Sequence, residues 1–329
     1  MHPMFADPKT DFVFKRVFGA ESRKNLLAAL LNHLLEFDGD RRIVEVQHLT
    51  PEQRVELAEL KLSIVDVKCT DASGRRFVVE MQVLNVEGFE KRVVYNASKA
   101  YVSQLRNGEE YPTLCDVFGV TICDFNLWTD KDETGAFKVP MLSRWRMQEQ
   151  HSGARGLPQV QYAFLELPKY TAGDEPTQLV EKWAYFFREA KNLDVIPPTL
   201  SEEPFREALE VTRTANFTER DWDAYERAKI AEQDARGALA LERREGRAEG
   251  RAEGRAEGRA EGRAEGRAEG RAEGVLLEKR AALVRLLSRR GLALTDAARA
   301  RIAGCRDAET LDRWFDVALS ATSAEDALR

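Results

Sequence analysis

Residues 60–84 read Leu60-Lys-Leu-Ser-Ile-Val-Asp66-Val-Lys-Cys69-Thr-Asp71-Ala-Ser-Gly74-Arg-Arg76-Phe-Val-Val-Glu80-Met-Gln82-Val-Leu84. Two runs rich in Val, Ile and Phe flank the turn sequence Asp71-Ala72-Ser73-Gly74, which predicts an antiparallel hairpin of Leu60–Cys69 with Arg76–Leu84. Side chains alternate along a strand. Phe77, Val79, Met81 and Val83 therefore share one face of the second strand, and Val78, Glu80, Gln82 and Leu84 share the other. In the first strand Leu60, Leu62, Ile64 and Asp66 fall together, with Ser63, Val65, Val67 and Cys69 opposite.

Working outward, Phe12, Phe14, Val17 and Phe18 begin an apolar helical patch, and a helix from about Glu21 to Glu36 follows. A short strand is expected over Arg42–Leu49. Downstream come a helix from about Glu90 to Arg106 and a strand over Leu114–Phe125. Helix, three strands, helix and strand make an α/β order, whose natural product is a small mixed sheet flanked by helices. Residues 126–200 add a few strands and one amphipathic helix near Val180–Lys191.

The chain has 329 residues, enough for more than one domain. From Gly246 the tetrapeptide Gly-Arg-Ala-Glu recurs seven times, ending at Glu273 and Gly274. Four residues overshoot a helical turn by about 40°, so no residue type keeps to one face and no coiled-coil seam forms. Each interior Gly costs about 1 kcal/mol against Ala, and like charges recur at i,i+4. A solvated, marginal helix acting as a spacer is expected. The organisation is then residues 1–200 as the α/β domain, 201–245 as a helical neck, 246–274 as the repeat, and 275–329 as a small all-α domain. In that last part Leu283, Val284, Leu286 and Leu287, then Leu311, Trp314, Phe315, Ala318 and Leu319, recur at helical spacing. Thr295 and Ser323 read as N-caps.

Fifty basic against 56 acidic residues give a net charge of −6, which excludes a histone-like coat but not a local basic groove. With 43% hydrophobic residues the chain has material for a core. No apolar run approaches the roughly 18–20 residues that span a bilayer, and the N-terminus lacks a secretory signal. A cytoplasmic protein with no membrane association is expected. The cysteines, Cys69, Cys115, Cys123 and Cys305, and the four histidines are scattered, so neither a zinc site nor a disulfide framework is expected.

The chemistry concentrates in the hairpin. If Asp66 pairs across from Glu80, which the turn permits within one residue, both carboxylates share a face with Cβ atoms roughly 4.5–5.5 Å apart. Two like charges among Leu, Ile and Val destabilise the fold unless neutralised, by a proton or by a divalent cation. Oxygen ligands from one or two carboxylates, completed by water, are what Mg²⁺ takes. A partly solvated acidic pair at a sheet edge is the plainer alternative.

These residues resemble the core of the PD-(D/E)XK nucleases, whose fold is that of the restriction endonucleases, in the variant Asp66…Glu80-x-Gln82. More narrowly, Asp11-Phe-Val-Phe-Lys15-Arg-Val-Phe18-Gly19, Val-Glu80-Met-Gln82, Lys91-Arg92-Val-Val-Tyr95 and Gly108-Glu-Glu-Tyr111 are similar to the Rpn family of recombination-promoting nucleases, also called transposases. The similarity runs over roughly residues 5–170, with Phe164-Leu-Glu-Leu-Pro168 as its further reach. The repeat and helical tail also look like features of that family. The resemblance implies a Mg²⁺-dependent endonuclease acting on DNA. Asp66 and Glu80 would hold the metal with the Met81 carbonyl, and Gln82 would stand where the eponymous motif has Lys. An amide supplies no positive charge and could only orient water or a phosphate oxygen.

On the following helix Arg92, Tyr95, Lys99 and Arg106 fall on one stripe, beside an apolar one of Val94, Ala97, Ser98, Tyr101 and Leu105. Arg92, Tyr95 and Lys99 are the candidate DNA contacts. An ordinary solvated helix face is the alternative, above all for Lys99 and Arg106. There is no phosphate-binding Gly-rich loop, no Gly-x-Ser-x-Gly, and no three-carboxylate core for strand transfer. A rival reading is a nuclease-fold module that has lost turnover, binds DNA and forms homo-oligomers through its helical tail.

Overall fold

The computed structural model describes residues 3–53, 63–106 and 108–329, so Leu60 and Leu62 of the expected hairpin lie outside the described residues. The chain opens with α1 (Asp11–Phe18) and α2 (Lys24–Leu35). Phe14, Val17, Phe18, Leu27, Leu30, Leu31 and Leu34, three or four residues apart, are fully buried. Next come β1 (Val46–Leu49), the two-residue strands β2 (Glu52–Gln53) and β3 (Ser63–Ile64), then β4 (Val67–Asp71) and β5 (Arg76–Gln82). Helix α3 (Phe89–Val102) crosses to β6 (Val117–Cys123), and β7 (Leu142–Trp145), β8 (Val160–Glu166), α4 (Leu179–Glu189) and α5 (Phe205–Thr212) complete this region.

Six strands form one mixed sheet in the order β1-β4-β5-β6-β8-β7. The central strands β5, β6 and β8 run parallel, and the outer ones pair antiparallel. The turn between β4 and β5 needs its glycine. Gly74 has φ +84°, and a Cβ there would stand 2.7 Å from Cys115 Sγ. Asp71 secures the same turn by accepting from the Ser73 and Arg75 amides at 3.0 Å.

The sheet has two unlike faces. On one, Phe77, Val79 and Met81 of β5 and Phe118, Val120 and Ile122 of β6 join the main core with α1, α2, α4 and α5. Phe77 and Phe118, paired in register, stack at 5.4 Å between ring centroids. On the other, Val78 and Val117 meet Ala97 and Ala100 of α3.

Two expectations shift. Within the described part, from Ser63, the first hairpin strand is interrupted: the ladder to β5 begins at Val67, and Ser63–Ile64 pair with β2 instead. The Val65 amide donates to the Pro51 carbonyl at 3.3 Å, so the chain has left the main sheet before Asp66. Helix α3 ends at Val102, short of Arg106, and its buried face runs through Phe89, Val93, Asn96, Ala97 and Ala100. Val94 is exposed, as is Ser98, so the apolar stripe lies one residue away from the one expected. Phe89 and Val93 fix this phase by packing with Phe164 and Cys123.

The chain divides into two units, Met1–Ala238 and Leu239–Arg329. Phe205 and Leu209 of α5 and Tyr225 belong to the main core of the first. Helix α6 (Glu219–Arg289) is unbroken through the whole repeat. Ala, Arg and Glu favour helix. Arg and Glu stand two or six residues apart, never three or four, and among the described residues no ion pair lies within 246–274. In the second unit Leu283 and Leu287 pack with α7 (Asp296–Gly304), α8 (Ala308–Ala318) and α9 (Ala324–Ala327) around Ile302, Leu311 and Trp314. Thr295 and Ser323 cap α7 and α9, each accepting a backbone amide at 3.2 Å.

Candidate active site

The two carboxylates lie at the open end of the hairpin, Asp66 just before β4 begins and Glu80 near the end of β5. The β4–β5 ladder ends with Val67 paired to Val79; continued by one step it would set Asp66 across from Glu80, on the face that α3 covers. One more step would bring residue 65 to Met81, but the chain has turned away. Asp66 Oδ2 takes the strand's place and accepts from the Met81 amide at 2.7 Å. The carboxylate thus satisfies a donor that the ladder leaves open.

Glu80 is 7% exposed and held from α3. Its Oε1 accepts from Asn96 Nδ2 at 2.6 Å, and its Oε2 lies 3.9 Å from Arg92 Nη2. The same guanidinium nitrogen donates to Gln82 Oε1, while Gln82 Nε2 donates to the Leu84 carbonyl at 3.0 Å. Arg92 therefore sets a positive charge beside the amide that stands at the motif's lysine position.

Burial pushes the Asp66 carboxyl up to about 6, and the charges of Asp11 and Glu80 add to it against the Met81 hydrogen bond and Lys15. Burial also raises Glu80, opposed by Asn96 and Arg92. Asp11 and Lys15, paired at 2.6 Å on α1, thus bear on Asp66 from the opposite layer.

The donor set suits a hard divalent cation: two carboxylates carrying like charge, with neither His nor thiol. Asn96 Oδ1 is buried beside them with no hydrogen-bond partner among the described residues. Among those residues no cluster of three or more His, Cys, Asp or Glu could hold a metal by itself. Asp66 and Glu80 would serve as the protein's carboxylate ligands. The Met81 carbonyl, which by strand geometry points to the same side as the Met81 amide, is a candidate third oxygen.

Asp66, Glu80, Met81, Gln82 and Arg92 thus come together. Tyr95, half-buried, lies a turn along α3 from Arg92, and Lys99 a turn further. Lys99 is 4% exposed, with its ammonium 5.2 Å from the Tyr95 ring centroid. Its charge, with that of Arg76, acts on Lys68, whose ammonium burial lowers to about 8. Lys99 therefore groups with residues at the start of β5, away from the carboxylates. Asn96 and Asp11 were not among the candidates from sequence. The signal for Asn96 was a lone amide in the stripe Phe89, Val93, Asn96, Ala97, Ala100. For Asp11 it was the i,i+4 pairing with Lys15 within a string already quoted.

A mixed six-stranded sheet with an acidic pair at the start of one central hairpin is the architecture of a nuclease-type enzyme. The family described as PD-(D/E)XK nuclease family transposase matches residues 8–242, and the chain belongs to that family. No curated protein and no solved structure matches it. Among the described residues no helix is long and apolar enough to cross a membrane.

Proposed function

We propose that the protein is a Mg²⁺-dependent DNA endonuclease of the Rpn kind, acting in the cytoplasm and promoting recombination through the breaks it makes. The observation that carries the reading is the pair Asp66 and Glu80 at the open end of the β4–β5 hairpin, Asp66 on the Met81 amide and Glu80 beside Arg92, which also bonds Gln82. Family membership supports the nuclease chemistry. A divalent cation, when bound, lowers the pKa of its water and withdraws charge from the phosphoryl oxygens. Asp66 and Glu80 would hold the cation. Asn96 fixes the Glu80 carboxylate, and the Met81 amide fixes that of Asp66. Arg92 supplies the fixed positive charge that Gln82 lacks and can donate to a phosphate oxygen, with Gln82 orienting the guanidinium.

The test is cleavage of supercoiled plasmid by the purified full chain with Mg²⁺ or EDTA, beside Asp66→Ala and Arg92→Ala. Nicking or linearisation is expected only with Mg²⁺ and wild type, with Asp66→Ala inert and Arg92→Ala strongly slowed. A folded wild type that leaves plasmid intact throughout would overturn the reading in favour of a non-catalytic DNA-binding module. Cutting by Asp66→Ala at the wild-type rate would overturn the site assignment.

A further inference from the structure

On the sheet face that carries Glu80, the register runs from Glu80 to Thr121 to Phe164 across three neighbouring strands. Phe164 is therefore about 10 Å from Glu80 along the sheet, near three base steps of a stacked strand. At Phe164 the surface opens into a cleft of about 370 Å³ between the first turns of α3 and strands β7 and β8. Its walls are mostly apolar, with Val93, Trp128, Trp145, Tyr162 and Phe164 prominent. Trp128 and Trp145 stack at 4.6 Å, and the Phe164 ring meets Trp128 edge-on at 4.9 Å. Trp145 still keeps 39% of its surface exposed. Among the described lining residues Glu90 is the one carboxylate.

The cleft is held rigidly. Glu166, fully buried, accepts from the amides of Leu127 at 2.6 Å and Trp128 at 3.3 Å, and pairs with the buried Lys169 at 2.8 Å. Lys169 in turn donates to the Val139 carbonyl at 2.8 Å, so one buried ion pair anchors both ends of the loop bearing Trp128. Through Trp145, Arg146 and Met147 the cleft continues into a polar groove that adds Arg144 and Arg155. Arg144 is engaged with the Leu34 carbonyl and Glu36. Arg146 and Arg155 are exposed and, among the described residues, enter no ion pair.

We propose that this cleft is a nucleobase subsite: it takes one unpaired base of the DNA strand against Trp145 and Tyr162, while Arg146 and Arg155 contact the neighbouring phosphates. Aromatic faces are what bases stack on without regard to sequence, and guanidinium groups are what phosphates pair with. An apolar pocket running into an arginine groove, on the same sheet face as Glu80, matches a nucleotide strand in both chemistry and charge. The inference rests on the proposed nuclease reading for its substrate and extends it to a preference for single-stranded or locally opened DNA.

The test measures binding without cleavage, in EDTA, by the full chain. The probes are a labelled oligodeoxythymidine, a duplex of the same length, and thymidine monophosphate. The single strand should bind more tightly than the duplex and quench tryptophan fluorescence. Trp145→Ala should weaken it roughly tenfold, and Trp145→Phe should restore most of the affinity. Equal affinity of wild type and a folded Trp145→Ala would overturn the subsite. So would a Trp145-dependent dimer in place of DNA binding, or monophosphate binding with no gain for the strand. Cleavage separates the two claims: Trp145-dependent strand binding without any cutting fails only the nuclease reading. Cutting with binding indifferent to Trp145 fails only the subsite.

Discussion

The two faces of β5 divide the molecule's work. Phe77, Val79 and Met81 point into a core built with α1, α2 and α4, where Phe14, Phe18, Trp183, Phe186 and Phe187 are fully buried. Arg76, Glu80 and Gln82 point toward α3, where Lys68, Asn96 and Lys99 are also buried. One face spends its area on dispersion and apolar transfer; the other takes on desolvated charge. Stability and chemistry thus share a strand but not a surface, so a substitution can address either one alone.

The sharpest test is Glu80→Gln. It keeps the shape and can still bond Asn96, yet removes a carboxylate, so plasmid cleavage should fall below detection while the melting temperature holds or rises. A parallel loss of folding would mean that the α3 face also bears the fold. The opposite substitution, Phe77→Ala, should cost about 3–5 kcal/mol by urea denaturation, because the side chain is fully buried and stacked on Phe118. Cleavage per folded molecule should stay near wild type.

The pH response sharpens the contrast further. Asp66 is raised from 3.8 to about 6, so its favourable contribution is fully present below about 3.8 and is lost as pH rises through about 6. Without metal, Asp66→Asn should therefore gain on wild type by about 2 kcal/mol between pH 4 and pH 8. Mg²⁺ should shrink that gap by stabilising wild type alone. Parallel denaturation midpoints for the two proteins across this range would show that Asp66 is not the strained carboxylate described. Below that lies Asn96→Ala, which frees Glu80 Oε1 and should lower activity about 10- to 100-fold, with Mg²⁺ requirement rising in step. An unchanged Mg²⁺ requirement would separate Asn96 from the carboxylate it holds.

Much of the hairpin was legible in residues 60–84, because period-two alternation and a glycine turn fix the β4–β5 register, which brings Asp66 and Glu80 to the same end of the hairpin. The break at Asp66 was not legible. It depends on Val65 finding Pro51, a partner that no local pattern announces. Strands β7 and β8 were only loosely anticipated, and with them Trp128, Trp145 and the cleft they wall. β7 is a four-residue edge strand whose burial does not alternate cleanly. In α3 the charged residues suggested one helix phase, and the docking of Phe89 and Val93 chose another. Side chains that act by contact across layers, such as Asn96 on Glu80 and Asp11 toward Asp66, leave only a weak trace in one dimension.

The same separation predicts where a large change should do least. The repeat contains no apolar side chain larger than Ala, its glycines meet nothing within 4 Å of a built Cβ, and among the described residues no ion pair crosses its turns. Deleting residues 246–253, two whole repeats, should shorten α6 by about 12 Å and restart the same four-residue pattern. The unfolding free energy of the first unit, from urea denaturation, should change by no more than about 0.5 kcal/mol, and plasmid cleavage should be unaltered. A drop in cleavage with the midpoint unchanged would give the repeat's length a functional role, since neither packing nor charge pairing is lost with it.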